Sequence, residues 1–104
     1  FSQGGAVCLQ AGLTYDKPLA GILGLSTFFP TAEAVVPHPA NASLPIQIFH
    51  GTLDPLLPEW MAENTIKYLK KLGYTPGYKT YPMPHSVCTE EIADISDWLQ
   101  KTLI

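Results

Sequence analysis

The chain has 104 residues, of which 46% are hydrophobic and 14% charged, with ten prolines and eight glycines. That length allows one domain at most, able to bury roughly two-thirds of its unfolded surface, and the composition excludes a disordered chain. A net charge of -3 offers nucleic acid or an anionic membrane no attraction, and no apolar run approaches the ~20 residues that span a bilayer.

Residues 3–13 are small and apolar nearly all round, which predicts a short helix buried on several sides. Leu19 to Ser26 is a near-continuous apolar run broken only by Gly21 and Gly24, the pattern of a strand covered on both faces. Four prolines between positions 29 and 45 predict a long irregular excursion. Ile46 to His50 reads as a second buried strand, closed by a turn at Gly51.

The next helix carries clear start and stop signals. Pro58 suits a first helical position, and Met61, Ala62, Thr65, Ile66, Leu69 and Leu72 mark one face. Glu59 and Glu63 lie early, Lys67, Lys70 and Lys71 lie late, and Gly73 ends it. Gly77 to Tyr81 is the third predicted strand. From Thr89 onward, Ile92, Ile95, Leu99 and Leu103 define the expected buried face of a last helix, with Glu90 and Glu91 at its positive end. Helices alternating with strands in this way predict an α/β fold with a mainly parallel sheet of about three strands. Residues 1–104 form one expected domain with no internal repeat.

Cys8 and Cys88 are too few and too far apart for a disulfide framework or a metal motif, and are expected reduced and partly buried. Asn41-Ala42-Ser43 has the form of a glycosylation sequon, a triplet that chance often produces. No His, Cys and carboxylate cluster has metal-ligand spacing and no glycine loop has phosphate-binding spacing, so no metal and no cofactor are expected.

Three residues carry chemistry. A serine hydroxyl is a poor nucleophile unless it is held against a base, and a sharp strand-to-helix elbow presents it so. Ser2-Gln3-Gly4-Gly5, followed by a small apolar helix, has the right-hand part of such an elbow. The same residues by themselves also fit a helix cap. Asp54, in His50-Gly51-Thr52-Leu53-Asp54-Pro55, follows a buried strand where an active-site loop belongs, although aspartate before proline is also a common turn. His85, in Tyr81-Pro82-Met83-Pro84-His85-Ser86, lies between the last strand and the last helix. All three fall in strand-to-helix loops, so a parallel sheet would gather them at one edge. Their chain order, serine then acid then histidine, is the order used by α/β-hydrolases.

The sequence resembles the phospholipase/carboxylesterase family, which includes the acyl-protein thioesterases. The likeness runs from Phe1-Ser2-Gln3-Gly4-Gly5 through His50-Gly51 and Asp54-Pro55, then Tyr81-Pro82-Met83, His85-Ser86-Val87 and Glu91-Ile92. Pro84 departs from it, since many relatives place glycine there. Members are about twice as long, so the resemblance implies the C-terminal half of an α/β-hydrolase fold, from the nucleophile elbow onward. It also implies a cytoplasmic serine esterase acting on ester or thioester bonds through an acyl-enzyme.

In that mechanism Ser2 attacks, His85 carries the proton, Asp54 orients His85, and the Gln3 backbone N–H supplies one oxyanion-hole donor. The second donor is expected from a loop upstream of the nucleophile. Phe28, Phe29, Leu56 and Leu57 follow strands on the same side and are candidates to line the substrate cleft. His50 is read as structural, His38 as exposed and Trp98 as helix packing. Expected partners are a small ester or thioester, or an acylated protein, together with the absent N-terminal half or a second copy. Two rival readings remain, a catalytically incompetent remnant and an assembly module.

Overall fold

The computed structural model describes residues 1–104. Its elements are α1 (Gln3–Thr14), β1 (Ile22–Leu25), β2 (Ile46–Gly51), α2 (Glu59–Lys71), β3 (Gly77–Tyr81) and α3 (Thr89–Leu103), with one 3₁₀ turn at Pro39–Asn41. The strands form a parallel sheet in the order β1-β2-β3, with Ile22 opposite Ile46 and Gln47 opposite Gly77. Every strand-to-strand connection therefore crosses over, and every strand points its C-terminal end at the same edge.

The sheet face bearing Ile22, Ile46, Ile48 and Tyr78 packs with Leu9 and Leu13 of α1 and with Ile66 and Leu69 of α2. The opposite face carries Phe49, Tyr81 and Met83, with Leu23, Leu25 and Ile95 packed against them. Two helices thus cover one face and α3 the other. In α2 the buried residues are Ala62, Thr65, Ile66 and Leu69, while Met61 and Leu72 of the predicted stripe are half-buried, and Pro58 is the cap one position before the helix rather than its first residue.

Several expectations are corrected. The first strand is shorter than Leu19–Ser26. Leu19 is exposed and its N–H is taken by the Asn41 side chain at 2.8 Å. At the other end, Ser26 turns to a positive φ of 50°, which ends strand geometry. Helix α1 is covered on one side only, with Val7 and Cys8 exposed, so Cys8 is not partly buried. His38 is half-buried rather than exposed, because its Nδ1 accepts the Ala40 N–H and caps the 3₁₀ turn.

The largest correction concerns α3. Ile92, Leu99 and Leu103 are 57%, 39% and 65% exposed, whereas Asp94, Ile95 and Trp98 face the sheet. Two contacts set this rotation. The Tyr81 hydroxyl donates to Asp94 Oδ2 at 2.6 Å, and the Trp98 ring occupies space left open by Gly21, where a Cβ would lie 2.7 Å from it.

The same rotation buries Glu91 completely, and neither carboxylate oxygen has a hydrogen bond of good geometry. Burial pushes this carboxyl above its ordinary range, and the nearby Cys88 amide only partly offsets the shift. A pKa raised on folding favours the folded state at low pH, and that contribution is lost as pH rises through the folded value. Glu91→Gln should therefore stabilise the protein at pH 7 by about 1 kcal/mol, a Tm increase of roughly 4–8 °C for a domain this size. The gain should vanish below the ordinary glutamate pKa. Thermal unfolding at pH 7 and pH 4 checks it, and an equal gain at both would mean that the charge is not its source.

Asn41 also has a fixed role. It is buried, its Nδ2 donates to the Tyr15 and Lys17 carbonyls, and its Oδ1 accepts the Leu19 N–H. A glycan on Nδ2 would break that clasp. No helix is long and apolar enough to cross a membrane.

Candidate active site

Ser2 caps α1 with φ 52° and ψ −125°, a conformation that strains a residue bearing a Cβ. The surroundings hold it there. Its N–H donates to the Leu25 carbonyl at 2.9 Å, and the Thr27 hydroxyl donates to its carbonyl at 2.5 Å. Gly5 lets Thr27 approach, since a Cβ at that position would overlap the Thr27 side chain. Residue type assigns Thr27 no such role, and the hydroxyl pair Ser26-Thr27 is conspicuous only by position, directly after a buried strand.

Asp54 follows β2 in the turn that its own side chain closes. Oδ1 accepts the Leu56 N–H at 2.9 Å and the Leu57 N–H at 2.8 Å. The Asp-Pro-Leu-Leu-Pro run carries the signal for this arrangement, an aspartate bonding the backbone two residues on. Both amides hold one oxygen, so the second is left for another partner. His85 provides it. Its Nδ1 lies 2.6 Å from Asp54 Oδ2, and its Nε2 lies 2.9 Å from Ser2 Oγ. Burial raises the Asp54 pKa, but the Leu57 amide, His85 and the Leu56 amide together hold it below the usual carboxylate range. The acid is therefore ionised at neutral pH.

The loops bearing Asp54 and His85 are stitched to each other. Thr52 N–H donates to the Tyr81 carbonyl at 2.9 Å, and Leu53 N–H to the Met83 carbonyl at 3.1 Å. At Gly51 the two loops approach so closely that a Cβ would strike the carbonyl oxygens of Met83 and Pro84. The Phe1 ring rests 4.9 Å from the His85 ring at a 44° tilt. The side chains of Asp54 and His85 are 0% and 14% exposed, so the acid is screened and the base retains access to solvent.

The remaining candidates are placed as follows. Gln3 is the first residue of α1, so its N–H has no intrahelical acceptor and belongs to the positive end of the helix. Phe28 and Phe29, with Trp60, Met61, Thr65 and Tyr68, line a cavity of about 130 Å³. Phe29 is 6% exposed and belongs to the core cluster, whereas Phe28 is half-buried. Leu56 is 69% exposed and Leu57 half-buried. The cavity falls below the ~300 Å³ at which small-molecule sites begin. A larger cavity of about 460 Å³, lined by Pro45, Gln47, Tyr74 and Trp98, opens where β2 and β3 begin, at the end of the sheet opposite the triad. No three His, Cys, Asp or Glu side chains are gathered to hold a metal ion.

A geometry of this kind can deprotonate a serine and stabilise the cation that results. Comparison with known proteins gives it a context. The profile of a family described as phospholipase/carboxylesterase matches residues 1–103. Acyl-protein thioesterase 1 of Gibberella zeae is 44% identical over 108 residues, an alignment covering 99% of this chain and 46% of that protein. Its counterpart in Neurospora crassa is 41% identical, with 99% and 44% covered. The crystal structure of Arabidopsis thaliana SOBER1 superposes with a TM-score of 0.90 at 30% identity, over 100% of this chain and 51% of that one. Zea mays acyl-protein thioesterase 2, at 24% identity and a TM-score of 0.87, shares the fold. The chain spans about half the length of the curated relatives it matches.

Proposed function

The chain belongs to the phospholipase/carboxylesterase family, and we propose that residues 1–104 are a single partial α/β-hydrolase domain bearing the triad of a serine ester or thioester hydrolase. The observation that supports this most is the relay from Ser2 Oγ to His85 Nε2 at 2.9 Å and from His85 Nδ1 to Asp54 Oδ2 at 2.6 Å. His85 Nε2 takes the Ser2 proton as Oγ attacks the acyl carbon, and returns it to the departing alcohol or thiol. Asp54 holds the Nδ1–H tautomer and stabilises the imidazolium. The same base then activates the water that frees the acid. Negative charge on the acyl oxygen is met by the Gln3 N–H at the head of α1.

The relatives named as acyl-protein thioesterases support acylated proteins as substrates, with small esters as surrogates. We assign Phe28, Phe29, Leu56 and Leu57 to the acyl chain, since all four follow strands at the sheet edge where Ser2, Asp54 and His85 meet. A second feature supports a partner polypeptide. β1 is hydrogen-bonded to a strand on one side only, and α3 presents Ile92, Leu99 and Leu103 to solvent. An N-terminal half-domain, or a second copy, would cover both.

A fluorophosphonate probe tests the nucleophile. It should attach once, at Ser2, as read by peptide mass spectrometry, and Ser2→Ala should abolish labelling. Labelling that persists in Ser2→Ala would remove Ser2 from the mechanism.

A further inference from the structure

The Asp54 loop contains one buried group that the relay does not use. His50, in β2, is fully buried. Its Nε2 lies 2.7 Å from the Leu57 carbonyl oxygen, a distance that requires the ring to donate there. The same Leu57 donates its own N–H to Asp54 Oδ1 at 2.8 Å. The turn from Asp54 to Leu57 is thus bonded at both faces of one residue, to the triad acid on one side and to His50 on the other. His50 Nε2 also lies 3.9 Å from Asp54 Oδ2, the oxygen that receives His85. The other ring nitrogen, Nδ1, is buried without a partner. A polar ring placed there at that cost points to a task for the nitrogen that is bonded.

We infer that His50 is a positioning residue for the triad acid. By donating from Nε2 to the Leu57 carbonyl it fixes the turn whose amides hold Asp54 Oδ1, and so aims Oδ2 at His85. This rests on the reading of Asp54 as the triad acid. A glutamine side chain can place an N–H where Nε2 lies. Phenylalanine fills the space without a donor, and asparagine keeps the amide but falls short of Leu57.

The test follows Ser2 labelling by a fluorophosphonate in the whole chain, together with the far-downfield proton resonance of the short His85–Asp54 hydrogen bond. His50→Phe should slow labelling about 10- to 100-fold, the cost of a small misplacement in an active site, and should shift or broaden that resonance. His50→Gln should restore both. In an Asp54→Asn background His50→Phe should slow labelling little further, because the residue acts through Asp54. If Asp54→Asn alone leaves labelling unchanged, the reading of Asp54 falls and His50 has nothing to position. If Asp54→Asn slows labelling but His50→Phe changes neither rate nor resonance, the inference about His50 fails by itself. A full additional loss in the Asp54→Asn background would also overturn it, as a general packing role. Should His50→Phe not fold, His50→Gln against His50→Asn decides, and equal labelling in those two would sink the idea.

Discussion

Asp54→Asn should lower kcat/KM for a p-nitrophenyl ester by about 10⁴, the effect of the same change in another serine triad. The local geometry gives the reason. Two backbone amides, Leu56 and Leu57, donate to Oδ1. An asparagine must turn its carbonyl oxygen toward them, because its NH₂ cannot accept their protons. The NH₂ then faces His85 Nδ1 and donates to it. His85 is left with its proton on Nε2, pointing at Ser2 Oγ, where a free lone pair is needed. The fold would be little disturbed and the base would be in the wrong tautomer. Turnover and thermal unfolding measured side by side check this. Near-normal turnover in a folded variant would mean that a different acid orients His85.

The second large effect concerns residues 1–104 by themselves. Their turnover should fall at least about 10²–10³ below that of a complete thioesterase relative, even though the triad is assembled. In the proposed mechanism the Gln3 N–H is one oxyanion donor and the other comes from outside residues 1–104, and a hole that loses one donor loses that much in kcat. The cavity beside Phe28 is also small, at about 130 Å³. Steady-state rates on one ester, for this chain and for the complete relative, provide the measurement. A rate within tenfold would contradict the expectation and imply a donor supplied by a neighbouring molecule.

Much of this was legible in the residues. β3 runs from Gly77 to Tyr81 as its pattern predicts, and four of the six residues of the α2 stripe, Ala62, Thr65, Ile66 and Leu69, are buried. The family membership and the α/β architecture follow the three motifs that suggested them. What failed was the rotation of α3. That helix carries two apolar stripes, Ile92 with Leu99 and Leu103, and Ile95 with Trp98, and helical periodicity cannot rank them. The choice is made by groups outside the helix, the Tyr81 hydroxyl that binds Asp94 and the gap above Gly21. Glutamate at position 91 then goes inside against its ordinary preference. The site shows the same division. Residue type and chain order single out Ser2, Asp54 and His85, and the fold brings their side chains into hydrogen-bond contact. Thr27 and His50 act through backbone carbonyls, and a contact of that kind leaves little trace in residue type.

The relay also has a kinetic meaning. Ser2 and His85 are 83 positions apart, so the bond between them closes a loop of that length. Neither β1 with β2 nor β2 with β3 can pair locally, since every connection is a crossover. Contacts of such long sequence separation repay their loop-closure entropy late and slow a chain's search. Ser2 gains its proton acceptor only when that search ends. Reactivity at residue 2 therefore serves as a stopwatch for refolding, blind to early helices and collapsed globules, and stopped by nothing short of Ser2 and His85 meeting.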